Sequence, residues 1–436
     1  MSIGSHLARV LGLALLLGGL LLASPPTIQA EDFQLTDGDR VVLIGGTLVE
    51  RDIRDGYLET RLTARWPRLN ITFRNLGWSG DTVWGDARAG FDTRAEGFAR
   101  LIDRTREANP TWIFVAYGGN ESFDGAAGLP SFIAGLQRLL DSLDPLGAKV
   151  VLLTPTRREA IPGMKAPAVD VANQSLKLYA EAIAQVAAER GHRLLDVGDF
   201  ITPGRIETSG KAWTDNGLHF TPRGYWHLAE TIEQQLGLRP CDWQVELSVA
   251  GEVLAERRTR ISDIERSDAG LKFIAIDTTL PEPLMPAATG AATATTAATT
   301  PAATTPATAR TLSIAGLPEG RYDLKVDGQT VATATATEWA AGVTIDRGPQ
   351  FDQVEALRAA IGRKNTLFFH RWRPQNETYL LGFRKYEQGN NAVEIAQFDP
   401  LVVEQEAIIA RLRVPVPHRY ELSRKQSPPV EAQAER

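Results

Sequence analysis

From Asp39 onward the chain alternates short apolar runs with amphipathic stretches. The runs RVVLIGG, NITFRNLG, TWIFVAYGG, KVVLLTP and HRLLDVG are nearly continuous in apolar residues and predict strands buried on both faces. Between them lie stretches of helical spacing. GYLETRLTARW sets Leu58, Leu62 and Trp66 on one side. TRAEGFARLIDRTREANP is an amphipathic helix stopped by Pro110, and LPSFIAGLQRLLDSLDPLG is a helix. NQSLKLYAEAIAQVAAERG is a helix that ends at Gly191. TPRGYWHLAETIEQQLG starts with Thr221 as N-cap and Pro222 at its first position. Strands alternating with helices predict an α/β domain with a parallel sheet covered on both faces. In such sheets ligands bind at the carboxyl ends of the strands, so chemistry is expected in the loops that follow them.

Past Pro240 the period changes. WQVELSVAGEVLAERR and LKFIAIDTTL alternate apolar and polar positions, as half-buried strands do. An Ala/Thr/Pro tract at 286–309 is too low in complexity to build a core and is expected to be disordered. LSIAGLPEGRYDLKVDGQTVATA returns to short strands with turn signals. Residues 241–347 therefore predict a small β-sandwich module. Two amphipathic stretches, FDQVEALRAAIGRKN and FDPLVVEQEAIIARLR, predict helices within a C-terminal segment at 348–421, packed on the α/β domain. Residues 422–436 read as a polar tail.

Charge narrows the partners. Lys and Arg number 47 against 53 Asp and Glu, net −6, without a basic block, so nucleic acid is not expected. Residues 1–30 predict a signal peptide. Arg9 precedes the apolar run Val10–Ala23, and TIQA offers cleavage after Ala30. The run is shorter than the roughly 20 residues that span a bilayer. An uncleaved anchor is the alternative; after cleavage no stable membrane insertion is expected, and the product is periplasmic or extracellular. Cys241 is the single cysteine, so no intrachain disulfide forms. It is expected to be a buried apolar residue.

Four loops carry candidate chemistry, each with a plainer alternative. Thr47 follows the first strand and is either a nucleophile or a helix N-cap. NLGWSGDT follows the second, with Gly77 and Gly80 permitting close backbone approach, or is simply a turn. Ser79 does not sit in a G-x-S-x-G elbow, because Asp81 takes the last place. YGGNES follows the third, where Asn120 offers an amide N–H to an oxyanion or forms an Asx turn. TDNGLHFTPRGY precedes the last helix of the domain, where His219 is either a general base or a surface histidine. The absence of any His/Cys/Asp cluster at ligand spacing implies no metal or other cofactor.

The order strand-Gly-x-Thr, N-x-G-x-S-G-D, G-G-N, D-N-G-x-H across Asp39–Leu238 resembles the SGNH (GDSL-type) hydrolase family. The whole chain is also similar to a secreted group of that family in planctomycete-type bacteria. The resemblance implies a flavodoxin-like three-layer parallel sheet, the SGNH hydrolase fold, with the β-sandwich module and C-terminal helices added. It places Thr47 at the nucleophilic serine, Gly80 and Asn120 at the oxyanion hole, and His219 at the general base. Two positions depart from the family pattern. Gly45-Gly46-Thr47 replaces Gly-Asp-Ser, and Asn216 stands where an Asp three residues before the histidine is usual, with Asp215 one step away. Threonine can attack a carbonyl, though its methyl restricts χ1. An Asn in the orienting place lowers turnover about 10⁴-fold in a serine-protease triad. The resemblance therefore implies an ester hydrolase acting on acylated carbohydrate or small esters, through Thr47 and His219 oriented by Asn216 or Asp215. Its alternative is an SGNH scaffold that binds glycans or esters without turning them over. Arg371, Trp372 and Asn376, in a segment dense in rings and guanidinium groups, are expected to add a substrate-binding surface.

Overall fold

The computed structural model describes residues 33–198, 212–267, 270–286, 310–374, 384, 386–387 and 392–425. The expected signal segment, Asn376 and nearly all of the Ala/Thr/Pro tract lie outside them.

The first five apolar runs form β1 (Arg40–Gly45), β2 (Thr72–Asn75), β3 (Trp112–Ala116), β4 (Lys149–Leu153) and β5 (Arg193–Leu195). All pair in parallel, in the order β2-β1-β3-β4-β5. Successive strand residues face opposite ways, so one apolar run feeds two cores. Val41, Phe114 and Leu153 pack with α2 (Tyr57–Arg65) and α6 (Pro222–Gln235) on one face. Val42, Ile113 and Leu152 pack with α3 (Arg94–Glu107), α4 (Gly125–Leu143) and α5 (Ala166–Arg190) on the other. This is the expected three-layer α/β fold of flavodoxin-like strand order. Helix α1 (Thr47–Asp55) follows β1 directly. Helix α5 starts ahead of the predicted Asn173, because Pro167 in its first turn loses no hydrogen bond there and Val169 is already buried.

Beyond Pro240 come β6 (Trp243–Ser248), β7 (Val253–Arg257), β8 (Thr259–Ser267), β9 (Gly270–Asp277), β10 (Arg310–Ala315), β11 (Arg321–Val326), β12 (Gln329–Thr335), the short α7 (Ala336–Ala341) and β13 (Val343–Thr344). With β14 (His418–Arg424) added from the chain end, two sheets, β13-β10-β6-β7 and β12-β11-β14-β9-β8, share one core that includes Trp243, Phe273, Leu312 and Tyr420. Here β14 corrects the reading of the chain end as helix and polar tail. It pairs antiparallel with both β9 and β11, inside the sheet. Its alternation buries His418, Tyr420 and Leu422 on one side. Cys241 is buried just ahead of β6, and burial raises its thiol pKa.

Between the sandwich strands the chain makes α8 (Pro349–Trp372), α9 (Ala392–Ile395) and α10 (Phe398–Leu412). Helix α8 lies on α1 and α2. Its Lys364 is buried and reaches Glu59 of α2 at 2.8 and 3.0 Å and the Phe73 carbonyl at 3.0 Å. Asn365 donates to the same carboxylate at 3.0 Å. Removing one member of a buried pair strands the other charge. Lys364→Ala is expected to cost about 3–5 kcal/mol in denaturant unfolding. Glu59→Gln/Lys364→Met, which leaves no buried charge, is expected to recover most of that loss.

Candidate active site

Strand β1 ends at Gly45, and the turn into α1 sets Thr47 as the first helical residue. The N-cap is Gly46, without a side-chain capping bond. The capping role weighed for Thr47 therefore falls to its neighbour. Among the described residues no hydrogen bond holds the Thr47 hydroxyl, and none joins it to His219.

The second loop is pressed onto α1. A Cβ at Gly77 would lie 2.3 Å from the Glu50 backbone nitrogen, so only glycine fits. Asn75 spans the gap, donating to the Val49 carbonyl at 2.7 Å and accepting from Gly77 N–H at 2.9 Å. Gly80 has φ +80°, which also favours glycine. Glu50 ties the pieces together. Its carboxylate accepts from Ser79 N–H at 2.7 Å and Ser79 Oγ at 2.9 Å, and it pairs with Arg373 just past α8. Arg373 also stacks on Trp78, its guanidinium carbon 3.9 Å from the ring centroid. Asp81 is fully buried and occupied. It pairs with Arg88 at 2.6 Å and accepts from Tyr117 Oη at 3.0 Å.

The third loop is held against the second. Glu121 accepts from Val83 N–H through one oxygen and from Gly118 N–H through the other, both at 2.9 Å. Burial pushes its pKa up to about 6, against the pull of those N–H groups. Asn120 makes no Asx turn. Its amide nitrogen donates one hydrogen to the Asp81 carbonyl at 2.6 Å, and the second has no acceptor among the described residues.

The fourth loop is stitched to the one after β4. Glu159 is buried and accepts from Trp213 N–H at 2.9 Å, Thr214 N–H at 2.7 Å and Thr214 Oγ1 at 2.5 Å. Within this loop Asn216 contacts His219. Asn216 Oδ1 accepts from Leu218 N–H at 3.1 Å and His219 N–H at 2.9 Å. Only an oxygen accepts, so these bonds fix the amide orientation. Asn216 Nδ2 is then 3.2 Å from His219 Nδ1 and donates to it. The neutral ring must accept at Nδ1 and carry its proton on Nε2. Asp215 turns outward instead and meets Arg51 at 3.5 Å. Burial, and after it Arg51, lower the His219 pKa, while Asp215 opposes them.

These loops enclose a cavity of about 80 Å³ lined by Thr47, Asn120 and His219, with Arg51, Arg158 and Phe123 also on its wall. Asn216 reaches it through His219. Gly80 is not on the wall, but the adjacent Asp81 is. The substrate-binding role expected for Arg371 and Trp372 does not match their placement. Trp372 is buried edge-on against Trp78, and Arg371 pairs with Asp399 at 2.7 Å. An apolar ring at the end of α8 lowers the free energy more in the core than on a wet pocket rim. Among the described residues no group of His, Cys, Asp and Glu is arranged to hold a metal.

Sequence reasoning missed Glu50, Arg51, Glu121, Arg158 and Glu159. Glu50 and Arg51 sit at helical spacing just after Thr47, a signal that was available. The others depend on loop-to-loop contacts that no local pattern encodes.

Nitrogen-resolved NMR is expected to find the neutral His219 ring protonated on Nε2, and Asn216→Asp to move that proton to Nδ1. A neutral ring protonated on Nδ1 in the unmodified protein would overturn the assignment. His219 is expected to titrate below its ordinary 6.5, being neutral above that midpoint and cationic below it. Arg51→Gln removes a repelling cation and is expected to raise the midpoint.

Comparison with known proteins bears on the same stretch of chain. Residues 37–227 match the family model described as GDSL-like Lipase/Acylhydrolase family. No curated protein matches the sequence. Among solved structures, a gut microbial diltiazem-metabolizing enzyme is similar in fold, with 15% identity and a TM-score of 0.68 over 90% of this chain and 99% of that one. An acetylxylan esterase from Geobacillus stearothermophilus is similar at 20% identity and a TM-score of 0.38, over 47% of this chain and 97% of its own. The matched stretch, residues 37–227, is the part of the chain that holds Thr47, Asn120 and His219.

Proposed function

We propose that this chain is an exported hydrolase of slow turnover, acting on the ester bonds of acylated carbohydrate or small esters. The observation that carries the reading is that Thr47, Asn120 and His219, from three separate loops, line one cavity at the carboxyl edge of the sheet. Export rests on the N-terminal segment with Arg9 ahead of an apolar run.

In this reading Thr47 Oγ1 bonds to the ester carbonyl carbon as its proton passes to His219 Nε2. The second amide hydrogen of Asn120 receives the charge that develops on the carbonyl oxygen. The C–O bond to the leaving alcohol breaks, and that alcohol takes the proton from Nε2. Water then repeats the sequence on the acyl-threonine. The first transfer requires Nε2 to be unprotonated. The ring must then carry its proton on Nδ1, facing the Asn216 amide donor. Losing that hydrogen bond and opposing two donors costs about 2–3 kcal/mol, so the competent tautomer is depleted about 10²-fold.

The same contact favours a second reading, in which the pocket binds esters without cleaving them. One variant series separates the two, read as kcat/KM on para-nitrophenyl acetate. Slow hydrolysis at this site requires wild-type turnover above that of Thr47→Ala. Asn216→Asp is then expected to raise it about 10²-fold, and Thr47→Ser to raise it further by removing a methyl. Wild type equal to Thr47→Ala, with ester binding intact, selects the scaffold. An inactive Thr47→Ser/Asn216→Asp variant that folds normally would rule out a hydrolytic site.

A further inference from the structure

The cavity wall carries a cation that the proposed chemistry does not use. Arg158 follows β4 and is half-buried. Its backbone is clamped by one side chain of α5. Asn173 Oδ1 accepts from Arg158 N–H at 2.7 Å, and Asn173 Nδ2 donates to the Arg158 carbonyl at 3.1 Å. The next residue, Glu159, is stitched to the His219 loop. The guanidinium carbon stands 4.5 Å from the ring centroid of Phe123, which is 66% exposed and lines the same cavity.

Among the described residues this guanidinium has no hydrogen bond and no ion pair. The acidic groups on the cavity wall are engaged elsewhere, Asp81 by Arg88 and Tyr117, and Glu121 by Val83 and Gly118 N–H. Burial lowers the Arg158 pKa, and no carboxylate among the described residues opposes that shift. Arg51, on the same wall, has its Nε buried without a partner among the described residues, and its contact with the exposed Asp215 is 3.5 Å. A second cation therefore adds to the positive potential of the cavity. A guanidinium on a clamped backbone and against an aromatic face, without a counter-ion among the described residues, is preorganised for a planar oxyanion.

We propose that the pocket selects esters that also carry a carboxylate, with Arg158 as the residue that determines this specificity. Phe123 would support the guanidinium and cover the apolar part between carboxylate and ester. The inference rests on the reading of this cavity as an ester site and adds the substrate class.

The test reads binding, so it does not depend on turnover. Monobenzyl succinate and benzyl methyl succinate are nearly equal in size and differ by one charge. Both are titrated into the full chain by calorimetry, with amide NMR locating the bound ligand. The monoanion is expected to bind about tenfold tighter, with the preference shrinking as salt rises. Arg158→Met is expected to abolish the preference and to change the melting temperature little, since among the described residues the side chain makes no hydrogen bond or ion pair and loses only its contact with the exposed Phe123 ring. Arg158→Lys keeps the charge without the fork and is expected to restore part of it. Equal affinities overturn the proposal, as does a preference that survives Arg158→Met or saturable binding of neither ligand. If the preference holds while para-nitrophenyl acetate is not turned over, the specificity stands and the slow-hydrolase reading fails.

Discussion

The reversal of strand order between β1 and β3 is the constraint on which the site depends. On one side of that point the chain winds toward β2, and on the other toward β4 and β5. The connections after β1 and β3 therefore leave to opposite faces of the sheet, and a crevice opens between them. Thr47 sits on its β1 side and Asn120 on its β3 side. The loop before α6 brings His219 over the same edge. The close approaches at Gly77 and the paired N–H groups held by Glu121 then bring these loops into contact.

Ion pairs join the outer parts of the chain to this layer. Arg61 of α2 pairs with Glu233 of α6 and reaches Glu282, beyond β9, at 2.6 Å. Trp226 donates to the Pro283 carbonyl at 2.7 Å. Lys364 and Arg373 do the same for α8 and the residue that follows it. Each buried charge carries a desolvation cost, and each is matched by a carboxylate with further hydrogen bonds. Arg373 is the one nearest the chemistry. Through Glu50 it couples the end of α8 to the loop of Ser79 and Gly80, so the described part of the C-terminal segment braces the site, and none of its described residues lines the cavity.

The His219 loop has the opposite character. Its backbone is strongly held, yet the contact that sets the ring among the described residues is an amide and not a carboxylate. A carboxylate at position 216 would accept from the backbone and from Nδ1–H together. The amide accepts with one atom and donates with the other, so the backbone bonds dictate which ring nitrogen is protonated. A single oxygen-to-nitrogen change thus leaves the loop geometry intact and alters its proton chemistry.

The sequence alone determined the α/β layer, because buried strands and amphipathic helices write their periods locally. It also brought Thr47, Asn120 and His219 forward as candidates, since each falls in a loop at the carboxyl edge. It did not reveal β14, whose seven residues stand apart from the other strands and pair with β9 and β11 from far along the chain. Nor did it place Trp372 in the core, because an aromatic residue beside arginines has the same composition on a pocket rim as beneath a helix. Which of Asp215 and Asn216 faces His219 was likewise a tertiary decision. Adjacent residues point apart, and Arg51 of α1 meets Asp215 while the loop's own N–H groups hold Asn216. Period and residue type are local properties of the chain. The choice between neighbouring side chains depends on charges and donors brought from distant segments, and only the folded structure assembles those.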